Sequence, residues 1–346
     1  MDFPEENLLA TADDREGFFI TALGDLLKDG RYKVLRKLGR GRCSNTFLVE
    51  DLKSTSPSRE YLAAKILSAD ATNALRRGVM DELGFLQTVK DTSTSGREPR
   101  LPILHDHFAQ QGYHGVHYCF LTRPQALDVH AFRASAPTGK LAAYIVKRIM
   151  ACVVEGLKVL HSLDIIHADM KADNVLCCGP SMAEIEETLK NEPVFIYGDF
   201  EVWGRQYPIF RSQPLQADFA WNTSPSDSER IAVVLSDFDS CLWADEPKPE
   251  IIAPFALRAP ENIVRAECGK EIDIWAIGCM TYELLTGQFL LQPQPIDGLS
   301  IFQRLLLLQC CRTVVSAQRP HSEPNHGGCS IHRGLFATQS RGSDDC

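Results

Sequence analysis

Residues 165–176 read IIHADMKADNVL and place several polar side chains in a short loop between two apolar runs. Asp169 can accept a proton from a hydroxyl nucleophile, and Lys171 can neutralise a phosphoryl group during its transfer. Asn174 can offer its side-chain oxygen to Mg²⁺. All three functions are needed near one phosphate, so a single rigid loop that carries them points to phosphoryl-transfer chemistry.

A second acidic position follows a buried run at VVLSDFDS, residues 233–240. A carboxylate at the end of a strand that faces the Asn174 loop, as Asp237 would, is a hard-oxygen ligand for Mg²⁺. Further upstream, Gly39 and Gly41 lie between two alternating runs, where backbone amides can approach phosphate oxygens without a Cβ in the way. The glycines alone are explained equally well by a plain hairpin turn.

Lys65 lies in the middle of the apolar run YLAAKIL, residues 61–67. A lysine in such a strand is unfavourable unless its ammonium group has a partner or the strand is a solvated edge. We expect Lys65 to pair with Glu82 on the following helix and with a nucleotide phosphate. Asp81 is adjacent to Glu82, so the assignment depends on which face of the helix packs inward.

Alternation and helical periodicity predict the order of elements along the chain. We expect strands within 31–66, at 117–124 and near 231–235, and helices over 72–90, 140–163 and 271–286, the last of them buried on all sides. Residues 180–230 read as an insert whose one clear helical stretch is AEIEETLKN, and the acidic residues 1–30 as a solvated arm. Residues 293–346 are rich in Ser, Gly, His and Arg without a period, and we expect them to be disordered.

Composition excludes several classes of protein. The 346 residues carry a net charge of −9, so a nucleic acid is an improbable direct partner. No apolar stretch of about 18 residues suggests a membrane span. The 12 cysteines form no CxxC pair, which argues against a structural zinc site. We expect a reduced, monomeric, intracellular protein that is cytoplasmic, and the sequence leaves open whether part of it is nuclear.

The order of these motifs, followed by LRAPENIV and the Asp273–Trp275 pair, resembles the eukaryotic protein kinase family over residues 25–292. It looks closest to the SR-protein kinases, especially those of fungi, which also carry a long insert between the positions of Asn174 and Asp237. The resemblance implies an α+β, two-lobed protein-kinase-like fold, with a small β-rich N-lobe at 31–124 and a mainly helical C-lobe at 125–292. It also implies ATP and Mg²⁺ as cofactors, and serine in basic Arg/Ser-rich proteins as the acceptor.

The resemblance assigns roles to individual residues. Asp169 would be the catalytic base and Lys171 the contact to the γ-phosphate, while Asn174 and Asp237 would hold the metal. Asp273 would hold the backbone of the catalytic loop, and adenine would lie near residues 122–124. The positions expected to bind ATP are Leu38, Gly39, Arg40, Gly41, Thr46, Lys65 and Glu82.

Four positions depart from the family pattern. Arg40 replaces a tryptophan of the glycine loop, Thr46 a valine that would cap adenine, Ala168 an arginine that reads a phosphorylated activation loop, and Asp239 a glycine. The C-lobe also looks incomplete and truncated, without the arginine that would pair with Glu261. Two hypotheses therefore stand: an active serine/threonine kinase, or a kinase-shaped binding or scaffold protein that is catalytically impaired.

Two further groups of residues receive simpler interpretations. His105, His107, His114 and His117 are expected to be surface histidines rather than metal ligands. Trp203 and Trp221 in the insert are expected to contribute to local packing.

Overall fold

The computed structural model describes residues 3–56, 58–92, 100–246 and 254–292. The expectations for the tail at 293–346 fall outside these residues. Within the described part of the chain, no helix is both long and apolar enough to cross a membrane.

A six-stranded antiparallel sheet forms the first lobe, in the order β1-β2-β3-β4-β6-β5. Its strands are β1 (Leu26–Leu27), β2 (Tyr32–Arg40), β3 (Ser44–Asp51), β4 (Tyr61–Leu67), β5 (Asp106–Gly112) and β6 (Gly115–Thr122). The predicted strands within 31–66 and at 117–124 are confirmed. Both faces of β2 and β3 are covered: Val34, Phe47 and Val49 pack in one cluster of buried residues, and Leu38 and Leu48 pack in another.

Two helices replace the single helix predicted over 72–90. Helix α1 spans Ala69–Arg76 and α2 spans Glu82–Thr92. Ser68 caps α1 by accepting a hydrogen bond from the Ala71 N–H at 3.1 Å. Gly78 takes a φ of +67°, and Val79 is 61% exposed. The predicted continuous helix is therefore wrong, because α1 ends just before the left-handed Gly78 and α2 begins at Glu82.

The second lobe is mainly helical. It contains α3 (Val129–Ala134), α4 (Ala143–Ser162), α6 (Pro260–Ile263) and α7 (Glu271–Thr286), with short strands β7 (Ile165–Ile166), β8 (Val175–Cys177), β11 (Val233–Leu235) and β12 (Leu242–Trp243). Strand β7 pairs with β12 and β8 with β11, both antiparallel. The bounds of α7 match the prediction. The prediction that α7 is buried on all sides is wrong, because Ile274 is 58% exposed.

The insert is more ordered than the sequence suggests. It contains the expected helix, α5 (Met182–Asn191), and also a hairpin of β9 (Ile196–Val202) and β10 (Arg205–Phe210). Ile185 of α5 packs among buried residues of β2, β3 and β4. Beyond the hairpin, the Leu127 N–H donates to the Leu215 carbonyl at 3.0 Å, which ties the insert to the segment that joins the lobes.

The acidic N-terminal segment is not a solvated arm. Leu8, Phe18 and Ile20 are buried against Phe200 and Ile209 of the hairpin. The arm therefore fills the gap between the sheet and the hairpin, and its apolar residues were the signal for this packing.

A buried ion pair anchors the same arm. Lys37 of β2, which is 2% exposed, places its Nζ 2.6 Å from Glu6 Oε2 and 2.8 Å from Glu5 Oε2. Two of the acidic residues that made the segment look solvated are therefore neutralised inside the fold.

Candidate active site

All eleven residues that the sequence predicted for the site line one cleft of about 700 Å³ between the sheet and the helical lobe. They are Leu38, Gly39, Arg40, Gly41, Thr46, Lys65, Glu82, Asp169, Lys171, Asn174 and Asp237. These residues come from β2, β3 and the turn between them, from β4 and α2, and from two loops of the second lobe, so the fold alone brings them together.

Lys65 forms the centre of an ion-pair cluster on one wall of the cleft. Its Nζ lies 2.6 Å from Glu82 Oε1 and 2.7 Å from Asp237 Oδ1. Asp81, the alternative partner, instead accepts a hydrogen bond from the Gly84 N–H at 3.2 Å. The pairing of Lys65 with Glu82 therefore forms as expected, because Glu82 is on the inward face of α2.

The charged groups in this cluster shift one another's pKa values. Burial opposes the charge on Lys65, but Asp237 and Glu82 outweigh it and hold the pKa of Lys65 well above its usual range. Burial raises the pKa of Glu82 to about 7, against the opposing effect of Lys65. Burial would also raise the pKa of Asp237, but Lys65 lowers it below the usual value. Lys65 thus keeps its positive charge toward the cleft.

The loop at 165–176 gathers its polar groups around Asp169. Asp169 Oδ2 accepts hydrogen bonds from Lys171 Nζ at 2.6 Å and from Asn174 Nδ2 at 3.0 Å. The other oxygen, Oδ1, is buried without a partner in the described residues. An unpaired carboxylate oxygen beside a cleft has a strong tendency to accept a hydrogen bond, so it can receive one from a bound hydroxyl group.

Asp273 fixes the backbone at the start of this loop. Its Oδ2 accepts a hydrogen bond from the His167 N–H and its Oδ1 one from the Ala168 N–H, both at 2.9 Å, and the ring of His161 lies 2.9 Å from Oδ2. Ala168 has a φ of +64°, which is unfavourable for any residue with a Cβ. The geometry matches the positioning role expected for Asp273.

His167 connects the loop to the segment that carries Asp237. Its Nε2 lies 3.0 Å from the Ser236 carbonyl, and the Ser236 N–H donates to the Asn174 carbonyl at 2.8 Å. The two candidate metal ligands, Asn174 and Asp237, are thereby fixed relative to each other.

The glycine turn between β2 and β3 lines part of the cleft. The Gly41 N–H donates to the Ser44 carbonyl at 2.8 Å, which closes the turn between β2 and β3. The guanidinium of Arg40 donates to the Glu5 carbonyl at 2.6 Å, so the arm holds this side chain. Thr46 lies opposite Lys65 in the register of β3 and β4.

Sequence reasoning missed several residues of the cleft wall, including Arg42, Cys43, Asp128 and Ser240. Asp239, which was singled out as a departure, also lines the cleft and accepts a hydrogen bond from Ser240 Oγ at 2.8 Å. A signal for Arg42 and Cys43 existed, since both lie in the glycine turn.

Within the described ranges, no group of three or more His, Cys, Asp or Glu side chains is arranged for a metal ion.

The prediction that all four histidines lie on the surface is wrong for His117, which is fully buried with Nδ1 2.8 Å from the Leu67 carbonyl. Burial lowers the pKa of His117.

Comparison with known families and structures agrees with this geometry. Residues 32–186 match the model of the protein kinase domain. A solved crystal structure of a kinase domain superposes with a TM-score of 0.58 at 19% identity, covering 80% of this chain and 70% of that one. The two-lobed, protein-kinase-like α+β fold is thereby confirmed.

Curated relatives include kinases of the SR-protein type. The chain is 24% identical to serine/threonine-protein kinase AFC2 of Arabidopsis thaliana over 85% of its own length and 60% of that protein. It is 25% identical to serine/threonine-protein kinase SRPK of Physarum polycephalum, over 81% of this chain and 66% of that protein. SRSF protein kinase 3 of Mus musculus is 30% identical over 47% of this chain and 28% of that protein. The chain thus spans less than two thirds of the length of these relatives.

Proposed function

We propose that this chain, which carries a protein kinase domain, is a serine/threonine kinase that transfers the γ-phosphoryl group of ATP to serine in Arg/Ser-rich proteins. The observation that carries the proposal is the convergence of Lys65, Glu82, Asp169, Asn174 and Asp237 on one cleft. Protein kinases in general use ATP and Mg²⁺. The Arg/Ser-rich substrate class is supported by the names of the relatives SRPK and SRSF protein kinase 3.

The residues present fit a magnesium nucleotide. Lys65 is the fixed positive charge that can contact the α- and β-phosphates, and Glu82 holds it in place. Asn174 and Asp237 supply the oxygen ligands that Mg²⁺ prefers, and when bound the ion would neutralise charge on the phosphates. The hydrogen bonds of Asn174 support this fit, because its side-chain nitrogen donates to Asp169 and its side-chain oxygen is left for the ion.

In the proposed reaction, Asp169 receives the proton of the substrate hydroxyl through its unpaired oxygen. Lys171, whose ammonium group donates to the other oxygen of Asp169, would contact the phosphoryl group during its transfer. Asp273 keeps this arrangement by fixing the backbone before Asp169. The chain's own contribution is therefore positioning together with electrostatic stabilisation.

The first test compares the candidate base with an exposed aspartate outside the cleft. Asp169→Asn should reduce phosphate transfer by about 10²- to 10⁴-fold while nucleotide binding stays at the wild-type level, because the carboxylate acts on the hydroxyl rather than on the nucleotide. Asp245→Asn is the matched control, since Asp245 is an exposed aspartate that does not line the cleft. Transfer that is equal in the Asp169→Asn variant and the wild type would remove Asp169 from the role of base.

The second test concerns the substrate. Radiolabelled ATP should transfer phosphate to an Arg-Ser repeat peptide and much less to a Lys-Ser repeat of the same length. Equal labelling of both peptides would contradict the proposed Arg/Ser preference while leaving kinase activity intact.

A kinase-shaped binding protein is the alternative function, and Asp239 is the observation that favours it. Asp239 adds a carboxylate to a cleft that already contains Asp169, Asp237 and Glu82, and so repels nucleotide phosphates. A thermal-shift measurement with ATP, with and without Mg²⁺, separates the two. Metal-dependent stabilisation supports the kinase, whereas no response to ATP supports the binding protein.

A further inference from the structure

The N-terminal arm contacts both strands that carry the glycine turn at residues 41–43. Arg40 of β2 and Asn45 of β3 are the last two residues in register before this turn. Arg40 donates a hydrogen bond to the Glu5 carbonyl at 2.6 Å, and the side-chain amide of Asn45 donates to Glu6 Oε1 at 3.0 Å. Two consecutive residues of the arm therefore hold the two ends of the turn.

Lys37 of β2 binds the carboxylates of the same two arm residues. Its Nζ lies 2.7 Å from Glu6 Oε1 and 2.8 Å from Glu5 Oε2, and both Lys37 and Glu6 are buried. Removing a carboxylate from a buried ammonium group is strongly unfavourable, because the charge would be left unpaired away from water. This ion pair therefore opposes detachment of the arm from β2.

A third segment, which follows the hairpin of the insert, fixes Glu5. The carboxylate of Glu5 accepts hydrogen bonds from the Ser212 N–H at 2.7 Å and from the Ser212 hydroxyl at 2.6 Å. The Gln213 N–H donates to the Lys37 carbonyl at 3.0 Å, so the same segment also contacts β2. Burial would raise the pKa of Glu5, but the hydrogen bonds from Lys37 and Ser212 lower it below its usual value. Glu5 therefore keeps the negative charge on which these contacts depend.

We call the five residues whose side chains make these contacts the arm clamp: Glu5, Glu6, Lys37, Asn45 and Ser212. None of these five residues lines the cleft, whereas Leu38 and Thr46, which are adjacent to Lys37 and Asn45 in the chain, do line it. Successive side chains of a strand point to opposite faces of the sheet. The arm clamp therefore holds β2 and β3 from the face opposite the cleft.

Helix α1 supports the other side of the turn. The Ser68 N–H, just before this helix, donates to the Cys43 carbonyl at 2.8 Å. The arm clamp and α1 thus hold the turn from two directions. A glycine-containing turn has many accessible conformations, so a ligand that needs one of them binds more tightly when the protein already restricts the choice.

We propose that the arm clamp positions the glycine turn and thereby raises the affinity of the cleft for the phosphates of a nucleotide. Its members are positioning residues, since they reach the nucleotide only through β2 and β3. Their effect therefore belongs to nucleotide binding rather than to the transfer step. The proposal rests on nucleotide binding as given under the proposed function.

The test measures binding of MgATP and of adenosine to the full chain by titration calorimetry. Glu6→Gln removes a charge that holds Lys37 and should weaken MgATP binding about three- to tenfold, the loss expected if the turn is in place for only about a third to a tenth of the time. Adenosine has no phosphates, so its affinity should change little. Asp13→Asn is the matched control, because Asp13 is an exposed carboxylate of the same arm.

Ser212→Ala is a milder variant that leaves no buried charge unpaired. It removes one hydrogen bond to Glu5 and should weaken MgATP binding about twofold. In steady-state kinetics both Ser212→Ala and Glu6→Gln should raise the KM for ATP and leave kcat unchanged, because bound nucleotide itself holds the turn at saturation.

A double variant separates positioning from stability. Lys37→Met with Glu6→Gln removes both buried charges, so part of the unfolding free energy lost in Lys37→Met alone should return. The charged contact between the arm and β2 stays broken, so the affinity for MgATP should remain as low as in Lys37→Met. Recovery of MgATP affinity together with stability would show that the contacts only stabilise the fold and would overturn the proposal.

Two further results would overturn the arm clamp while leaving the proposed kinase intact. One is wild-type MgATP affinity in both Glu6→Gln and Ser212→Ala when circular dichroism shows that both are folded. The other is an equal loss of affinity for adenosine and MgATP, which would mean that the whole cleft is distorted rather than the turn. A wild type that binds no MgATP would instead refute the proposed function, and the arm clamp with it.

Discussion

Asp273→Asn should loosen the catalytic loop without changing the shape of the side chain that holds it. Asp273 is 1% exposed and accepts hydrogen bonds from the backbone of His167 and Ala168, one on each oxygen. Asparagine keeps only one acceptor oxygen. Its amide group would therefore face a backbone N–H, and two donors would point at each other inside the protein.

The size of the effect follows from these bonds. A hydrogen bond to a charged acceptor contributes about 1.5–3 kcal/mol, and a buried donor left unpaired costs about 1–3 kcal/mol. These contributions overlap, so we expect the free energy of unfolding to fall by about 2–4 kcal/mol. The left-handed backbone of Ala168 adds to the effect, because that conformation is itself unfavourable by about 1–2 kcal/mol and the lost bond held it in place.

Urea unfolding followed by circular dichroism measures this change. Asp245→Asn is the control, because Asp245 is exposed and should give a change within about 0.5 kcal/mol of zero. Ala168→Gly in the Asp273→Asn background should recover about 1 kcal/mol, since glycine accepts a positive φ. The reasoning fails if Asp273→Asn unfolds at the wild-type urea concentration, or if Ala168→Gly destabilises it further.

Three other perturbations test separate features. Asp239→Gly should raise kcat on an Arg-Ser peptide at saturating ATP and Mg²⁺, because it removes a negative charge beside the phosphates; a lower kcat would mean that this carboxylate contributes to the reaction. Lys37→Met should lower the unfolding free energy by about 3–5 kcal/mol in a urea titration, since it leaves buried carboxylates unpaired, and a second change, Glu6→Gln, should restore part of that loss. Burial would raise the pKa of Asp51, but Arg31 holds it below the usual value. The stabilisation that ionised Asp51 contributes is therefore present above the ordinary pKa of an aspartate and is lost as the pH falls. Asp51→Asn should make the unfolding free energy depend less on pH in the acid range. An unchanged pH dependence would refute this.

The sequence was most informative where chemistry and local pattern coincide. Lys65 in an apolar strand needed a partner, and the buried side of the following helix supplied Glu82. The periodicity of 271–286 was strong enough to give both ends of α7. The loop at 165–176 was recognisable because its polar groups are close in sequence, so no long-range contact had to be inferred.

The features that were missed depend on contacts between distant segments. Lys37 and Glu6 are 31 residues apart, and nothing local marks either one as buried. The hairpin of the insert has its apolar residues on the face that packs against the arm. The sequence of the hairpin alone does not indicate that this face is buried, because its partner residues belong to the distant arm. Arg40 was expected at the phosphates, yet its hydrogen bond goes to the backbone of Glu5.

The packing of the arm against the hairpin also determines the order in which the chain can fold during synthesis. Phe18 and Ile20 leave the ribosome early, but their partners Phe200 and Ile209 follow some 180 residues later. Until then the first lobe exposes an apolar strip, and a nascent chain in that state is open to aggregation or chaperone binding. Because contacts this distant in sequence also slow folding, we expect the sheet of the first lobe to become stable only after the hairpin has been translated.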